Sequence, residues 1–217
     1  MFSSLITTVL DAVYPSRCCN CGVPGSVVCA DCLSEIDYYF VPIALKLDPL
    51  RIDTYCAVAH LEGIVRKMIH QLKYERVVAL GEVAGKMLYM SSEWPSADLV
   101  TAVPLHPHRL GQRGFNQAEL IGASFAHHAH IPYKTILART VDTPHQAQQL
   151  TRADREHNIT DYFSILPGID PGPSLVGKDI ILIDDVCTTG ITLNHCAKVL
   201  KSAGCKKVSA LTLAHGR

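Results

Sequence analysis

The sequence predicts an α/β domain with a mainly parallel sheet flanked by helices, preceded by a small four-cysteine module. Three observations predict it. Short apolar strand-like runs alternate with segments of helical periodicity over most of the chain. One of those runs, ILIDD at 181–185, ends on two adjacent carboxylates and feeds a Thr-Thr-Gly loop. Near the N-terminus, CCNCGVPGSVVCADC at 18–32 holds two C-x-x-C pairs.

The elements follow in order. At the start, Phe2, Leu5, Ile6, Val9, Leu10 and Val13 share one helical face, which reads as a helix packed on the core. No Lys or Arg precedes Arg17, so the basic face of a membrane-surface helix is missing. After the cysteines a boundary falls near 45–50, dividing the chain into 1–48 and 49–217. DTYCAVAH (53–60) reads as a strand, and 62–74 and 77–90 as helices. DLVTAVP (98–104) is a short strand that stops at Pro104, and 117–130 is helical in pattern. A long polar stretch, 140–158, has the makings of a functional loop or lid. YFSIL (162–166) and DIILID (179–184) read as strands around a Gly/Pro-rich connection. A helix from about Thr192 to Ala203 and the strand 206–214 complete the chain.

Composition narrows the function. The chain has 217 residues, 48% of them apolar, enough for one domain with a real core and a small appendage. Lys plus Arg equals Asp plus Glu, at 20 each, so any nucleic-acid surface must be local. No apolar run is long enough for a membrane span, and the first residues lack the basic leader of a signal peptide. Nine cysteines, an odd count without a secretory leader, point to a reducing intracellular compartment.

In the cysteine cluster, Cys18 with Cys21 and Cys29 with Cys32 form two knuckles, and GVPGS supplies the turn that folds one onto the other. Four thiolates complete a closed tetrahedral shell that suits structural zinc. Disulfides need an oxidising compartment, and a redox C-x-x-C is expected singly beside a βαβ unit. Cys19 is an alternative ligand to Cys18. So small a segment cannot build its own core, and metal binding would supply much of its folding free energy.

The aspartate pair raises a sharper question. Two like charges side by side repel, and the local sequence offers no basic partner. In open α/β sheets, ligands sit beyond the carboxyl ends of the strands, where Asp184 and Asp185 fall. The loop Val186-Cys187-Thr188-Thr189-Gly190-Ile191-Thr192 leads into a helix. Its backbone N–H groups and threonine hydroxyls make a phosphate cradle, and Gly190 permits close backbone approach. Phosphate beside two carboxylates suits a phosphorylated sugar, with the acids toward ribose hydroxyls or Mg²⁺.

This stretch resembles the phosphoribosyl pyrophosphate (PRPP) motif of type I phosphoribosyltransferases. VPLHPHRLGQRGFNQAELIG (103–122) and ARTVDTPHQAQQLTRADREHNI (138–159) resemble blocks of the ComF/ComFC competence family, which includes GntX-like proteins. Arg113 to Ala118 match its R-G-F-N-Q-A block. Arg139, Thr140, Thr143, Gln146, Gln149 or Leu150, Arg155 and Asn158 match a second pattern more loosely. The double C-x-x-C and the Lys73-Tyr74 pair also fit, so the resemblance runs from Cys18 to the last strand.

The resemblance implies a type I phosphoribosyltransferase-like fold with an N-terminal zinc finger. It implies a pyrophosphate loop after Pro104 with Leu105, His106, His108 and Arg109, and a flexible loop over PRPP with Arg139 and Arg155. Transfer would proceed by Mg²⁺-assisted loss of pyrophosphate from the ribose, with Asp184 and Asp185 stabilising a cationic sugar. Thr188 stands where some purine enzymes carry a loop acid, and no general base for a purine is visible. The histidines from His106 to His145 lack metal-ligand spacing.

Two functions follow. One is a cytoplasmic PRPP-binding protein of natural transformation that handles incoming single-stranded DNA with the competence helicase ComFA and the recombination loader DprA. The other is an active phosphoribosyltransferase on an unidentified acceptor. A degenerate scaffold is the third option, though it has no reason to keep two strand-end carboxylates. DNA contacts would come from Lys73, Arg76, Arg113 and Arg155, with Arg66, Lys67, Lys201, Lys206 and Lys207 as further basic groups.

Overall fold

The computed structural model describes residues 15–39, 42–91, 94–140 and 162–216. The N-terminal helix expected over 2–13, most of the polar stretch 140–158 and Arg155 lie outside the described residues.

Four parallel strands form the central sheet: β1 (Thr54–His60), β2 (Leu99–Ala102), β5 (Asp179–Cys187) and β6 (Lys207–His215), in the order β1-β6-β5-β2. β3 (Leu137–Arg139) and β4 (Phe163–Ile165) pair antiparallel in a separate ribbon. YFSIL is therefore a strand as expected, but outside the parallel sheet.

The central strands are buried on both faces, which explains their near-continuous apolar runs. Alternate residues divide two cores. Ile181, Ile183, Leu211 and Leu213 pack with α2 (Gly63–His70), α3 (Ala79–Met90) and α5 (Gln117–Ala129), through Met68, Leu88, Ile121 and Phe125. Ile180, Leu182, Val208 and Ala210 pack with α7 (Ile191–Ser202) and the ribbon, through Leu193, Leu200, Leu137 and Phe163. The segment before β1 runs along that strand's outer edge. Tyr39 N donates to Val58 O at 2.9 Å and Ile43 N to Tyr55 O at 2.8 Å, so the edge is covered.

The helix expected over 62–74 is interrupted. α2 ends at His70 and continues as a π-helical turn, Gln71–Glu75, closed by Arg76 in a left-handed conformation at φ 58°. Short helices also follow Cys29, as α1 (Ala30–Ser34), and open the connection into β5, as α6 (Pro171–Leu175), and the loop after Pro104 contains α4 (Pro107–Arg113), started by proline at its first position and capped by His106.

α3 and α5 approach closely because glycines face the contact. A Cβ on Gly85 would lie 2.6 Å from the Ile121 carbonyl oxygen and 2.5 Å from Ser124 Cβ. Gly85→Ala is expected to destabilise by about 1–3 kcal/mol, since backbone cannot yield and outweighs alanine's better helix propensity. Gly111, in α4, has open space around it, so Gly111→Ala should be neutral or slightly stabilising. Paired thermal melts check the contrast. Equal melting temperatures for the two variants would refute the packing argument.

Candidate functional site

The cysteine module folds as two turns. The Sγ atoms of Cys18, Cys21, Cys29 and Cys32 all lie within 4.8 Å of one another. A tetrahedral zinc–sulfur shell needs separations of about 3.8 Å, and Cys21 and Cys29 are already 3.6 Å apart. Donors surround the sulfurs: Cys29 N reaches Cys18 Sγ at 3.4 Å, Cys32 N reaches Cys29 Sγ at 3.5 Å, and Asn20 Nδ2 reaches Cys32 Sγ at 3.3 Å. Such contacts stabilise thiolates and orient ligands, so the residues fit a metal such as zinc.

Cys18 and Cys19 differ in direction. Cys18 joins the cluster. Burial raises its thiol, but amides of Cys21, Cys29 and Asn20 outweigh it and bring it down to about 6. Cys19 lies outside the cluster, and burial with the Cys18 charge pushes it up to about 11. Lys67 Nζ donates to Asn20 Oδ1 at 2.8 Å, tying the module to α2. Cys18, Val28, Cys32 and Ile36 belong to the same apolar cluster as α2 and α3.

In the central sheet, β5 runs on through the aspartates to Cys187. Asp184 is half-buried and Asp185 buried. Burial first, and then the Asp185 charge, holds the Asp184 carboxyl well above the usual carboxylate range. Asp185 N donates to Asp184 Oδ1 at 2.9 Å, and both that bond and Lys73 pull the other way. Lys73 Nζ forms an ion pair with Asp185 Oδ2. The aspartates therefore do have a basic partner, supplied by the π-helical turn and out of reach in the local sequence.

The loop turns at Gly190, φ 80°, which is the N-cap of α7. Thr188, Thr189, Ile191 and Thr192 are exposed there. The first turn of α7 leaves its amides without intrahelical partners, which is the anion-binding geometry of a helix start. Leu45 packs on Gly190, where a Cβ would meet its Cδ1 at 2.7 Å. Asn194, in the same helix, accepts from Arg51 N at 2.7 Å and donates to Pro49 O at 3.0 Å. The segment before β1 is thus strapped against the loop at Gly190, a contact that sequence reading missed because no local pattern marks it.

β2 brings the second loop alongside. Ala102 is the register partner of Ile183, and Val103 N donates to Ile183 O at 2.9 Å. Leu105, His106 and Arg109 follow from the same sheet edge as the aspartates. Within the R-G-F-N-Q-A block, buried Asn116 caps α5 through Ala118 N and donates to Val103 O at 3.0 Å, fixing where that loop leaves β2. Arg139 lies on β3, its guanidinium 5.5 Å from the Phe163 ring centroid.

The basic residues assigned to DNA have structural duties. Lys73 pairs with Asp185 and Lys67 with Asn20, and Lys201 pairs with Asp53 at 2.7 Å. Arg76 donates to Gln112 O at 2.8 Å. Arg113 bonds Gln117 and lies over the Tyr74 ring. Lys73, Lys67 and Lys201 are thus engaged in tertiary contacts, while Arg66, Lys67 and Lys206 are exposed.

Comparison with known proteins agrees with this architecture. Residues 121–217 match the phosphoribosyl transferase domain. With the parallel sheet and the acid-tipped β5, the chain is of the type I phosphoribosyltransferase-like class, with a four-cysteine module at its N-terminal side. It is 25% identical to Competence protein F of Haemophilus influenzae over 90% of this chain and 88% of that protein. It is 34% identical to Competence protein ComFC of Streptococcus pneumoniae over 51% of this chain and 45% of that protein. It is also 25% identical to DNA utilization protein YhgH of Salmonella typhi, over 91% of this chain and 83% of that protein. The chain is thus similar to ComF/ComFC-type competence proteins and carries a phosphoribosyltransferase-like domain. Among the described residues, no helix is long and apolar enough to cross a membrane.

Proposed function

We propose that this protein binds PRPP with Mg²⁺ and acts in the handling of incoming single-stranded DNA during natural transformation. The observation that carries the reading is the meeting, at one sheet edge, of Asp184, Asp185, the Gly190 turn and the loop that leaves β2. The α7 N-terminus with Thr188, Thr189 and Thr192 would hold the sugar phosphate, and Asp184 and Asp185 the ribose hydroxyls. His106 and Arg109 would face pyrophosphate, where a guanidinium offers bidentate hydrogen bonds. Mg²⁺, when bound, would neutralise pyrophosphate charge, and the two carboxylates fit a hard cation. Residues 1–48 would form a zinc module and 49–217 the PRPP-binding unit. The names of the competence relatives support the DNA role. The cytoplasm, with the helicase ComFA and the loader DprA as partners, fits that role.

Calorimetry of the zinc-loaded protein with PRPP and Mg²⁺ tests the site. Saturable binding is expected, and Asp184→Ala/Asp185→Ala should abolish it. Cation binding requires the ionised carboxylate. Because Asp184 is held above the ordinary range, affinity should rise with pH through that raised range and a proton should be released. A folded wild type that binds no PRPP would remove the sugar-phosphate reading.

A further inference from the structure

Tyr74 is an aromatic side chain that the fold spends nothing to hide. It is 69% exposed, directly after the lysine that grips Asp185. The π-helical turn sets these two residues apart: Lys73 turns inward to the carboxylate and Tyr74 turns out. π turns are rare and recur at functional sites. This one ends on Arg76 at φ 58°, a conformation costly for a side-chain-bearing residue. Two departures from regular helix therefore frame one exposed ring, and the core gains nothing from that ring.

Its neighbours give the ring a chemistry. The Arg113 guanidinium lies 5.8 Å from its centroid, and the His70 ring stands at 5.0 Å with a 49° tilt. Arg76 follows two residues later, held by Gln112 O. Glu75 is the one acid in the turn, and it faces His70 Nδ1 at 3.4 Å. An exposed aromatic ring with guanidinium groups beside it suits a planar π-system that carries phosphate, which is the make-up of a nucleotide.

We infer that Tyr74 is a stacking platform for a nucleobase at the lip of the aspartate site, with Arg113 and Arg76 toward its phosphates. The inference rests on the DNA arm of the proposed function and assigns it a place. The base comes either from a single strand or from a free nucleotide. Zero net charge then ceases to be an objection, because stacking rather than a cationic field supplies the affinity.

The test uses the full zinc-loaded chain, a fluorescent oligo(dT) and dTMP. Tyr74→Ala should weaken oligo(dT) binding by about 5- to 150-fold, the effect of removing one stacked base. Tyr74→Trp should retain binding, and its emission should be quenched on addition of the oligonucleotide. Two phosphate contacts predict a shallow salt dependence, with a log–log slope of about −1.4. Quenching by dTMP at concentrations equal to oligo(dT) would identify a free nucleotide as the source, with the platform intact. Wild-type and Tyr74→Ala proteins binding oligo(dT) equally would overturn the platform and leave the DNA reading standing. A wild type that binds neither probe would overturn both, while PRPP calorimetry judges the sugar-phosphate arm separately.

Discussion

Chelating the metal, or replacing Cys32 with serine, is expected to unfold the cysteine module and loosen the core beneath it. The module has no core of its own; Val28 and Ile36 are buried only by joining the cluster of α2 and α3. Their exposure would cost about 1.5–3 kcal/mol each, a fall in melting temperature of roughly 10–20 °C at this chain length. Free thiolates would also repel one another once the cation is gone. Cys18→Ser should behave like Cys32→Ser, whereas Cys19→Ser should keep the metal, since Cys19 lies outside the cluster. Metal content by chromophoric titration and calorimetric melts are the readouts. Full metal occupancy in Cys18→Ser, with loss in Cys19→Ser, would reverse the ligand assignment.

Lys73→Met should be the most damaging single change at the sheet edge. Asp185 is 5% exposed and Lys73 21%, so removing the ammonium strands a buried carboxylate beside the charge of Asp184. Breaking such a pair typically costs about 3–5 kcal/mol, far above the worth of a surface ion pair. Adding Asp185→Asn should recover much of that loss, because the stranded charge is then gone. Denaturant melts of the two single variants and the double variant close the cycle. Additive losses, with no recovery in the double variant, would mean that the pair is not coupled as its geometry states. The same pair offsets part of the charge of the two adjacent aspartates.

Much of the site was legible because its chemistry is local. The double C-x-x-C, the strand that carries Asp184, the Gly190 turn and the helix after it are each written in a dozen contiguous residues, though the strand runs three residues past Asp184 to Cys187, and hydrophobic periodicity separates the strands from the helices. The antiparallel pairing of β3 with β4 was not legible, since three-residue strands carry too short a pattern to reveal their partners. The π-helical turn was equally hidden, because QLKYE has no signature that separates it from ordinary helix.

By itself, then, the sequence determined the fold class, a candidate four-cysteine cluster to within Cys18 or Cys19, and the position of two adjacent carboxylates in the carboxyl-terminal half of a central strand. Only the tertiary structure decided what surrounds them: Lys73 on Asp185, Leu45 on Gly190, Asn194 on the segment before β1, and Tyr74 left open. The physical reason is range. Periodicity, turn chemistry and ligand spacing act over a few residues, whereas an ion pair between a helix and a strand far apart in the chain exists only after both have packed on the same sheet.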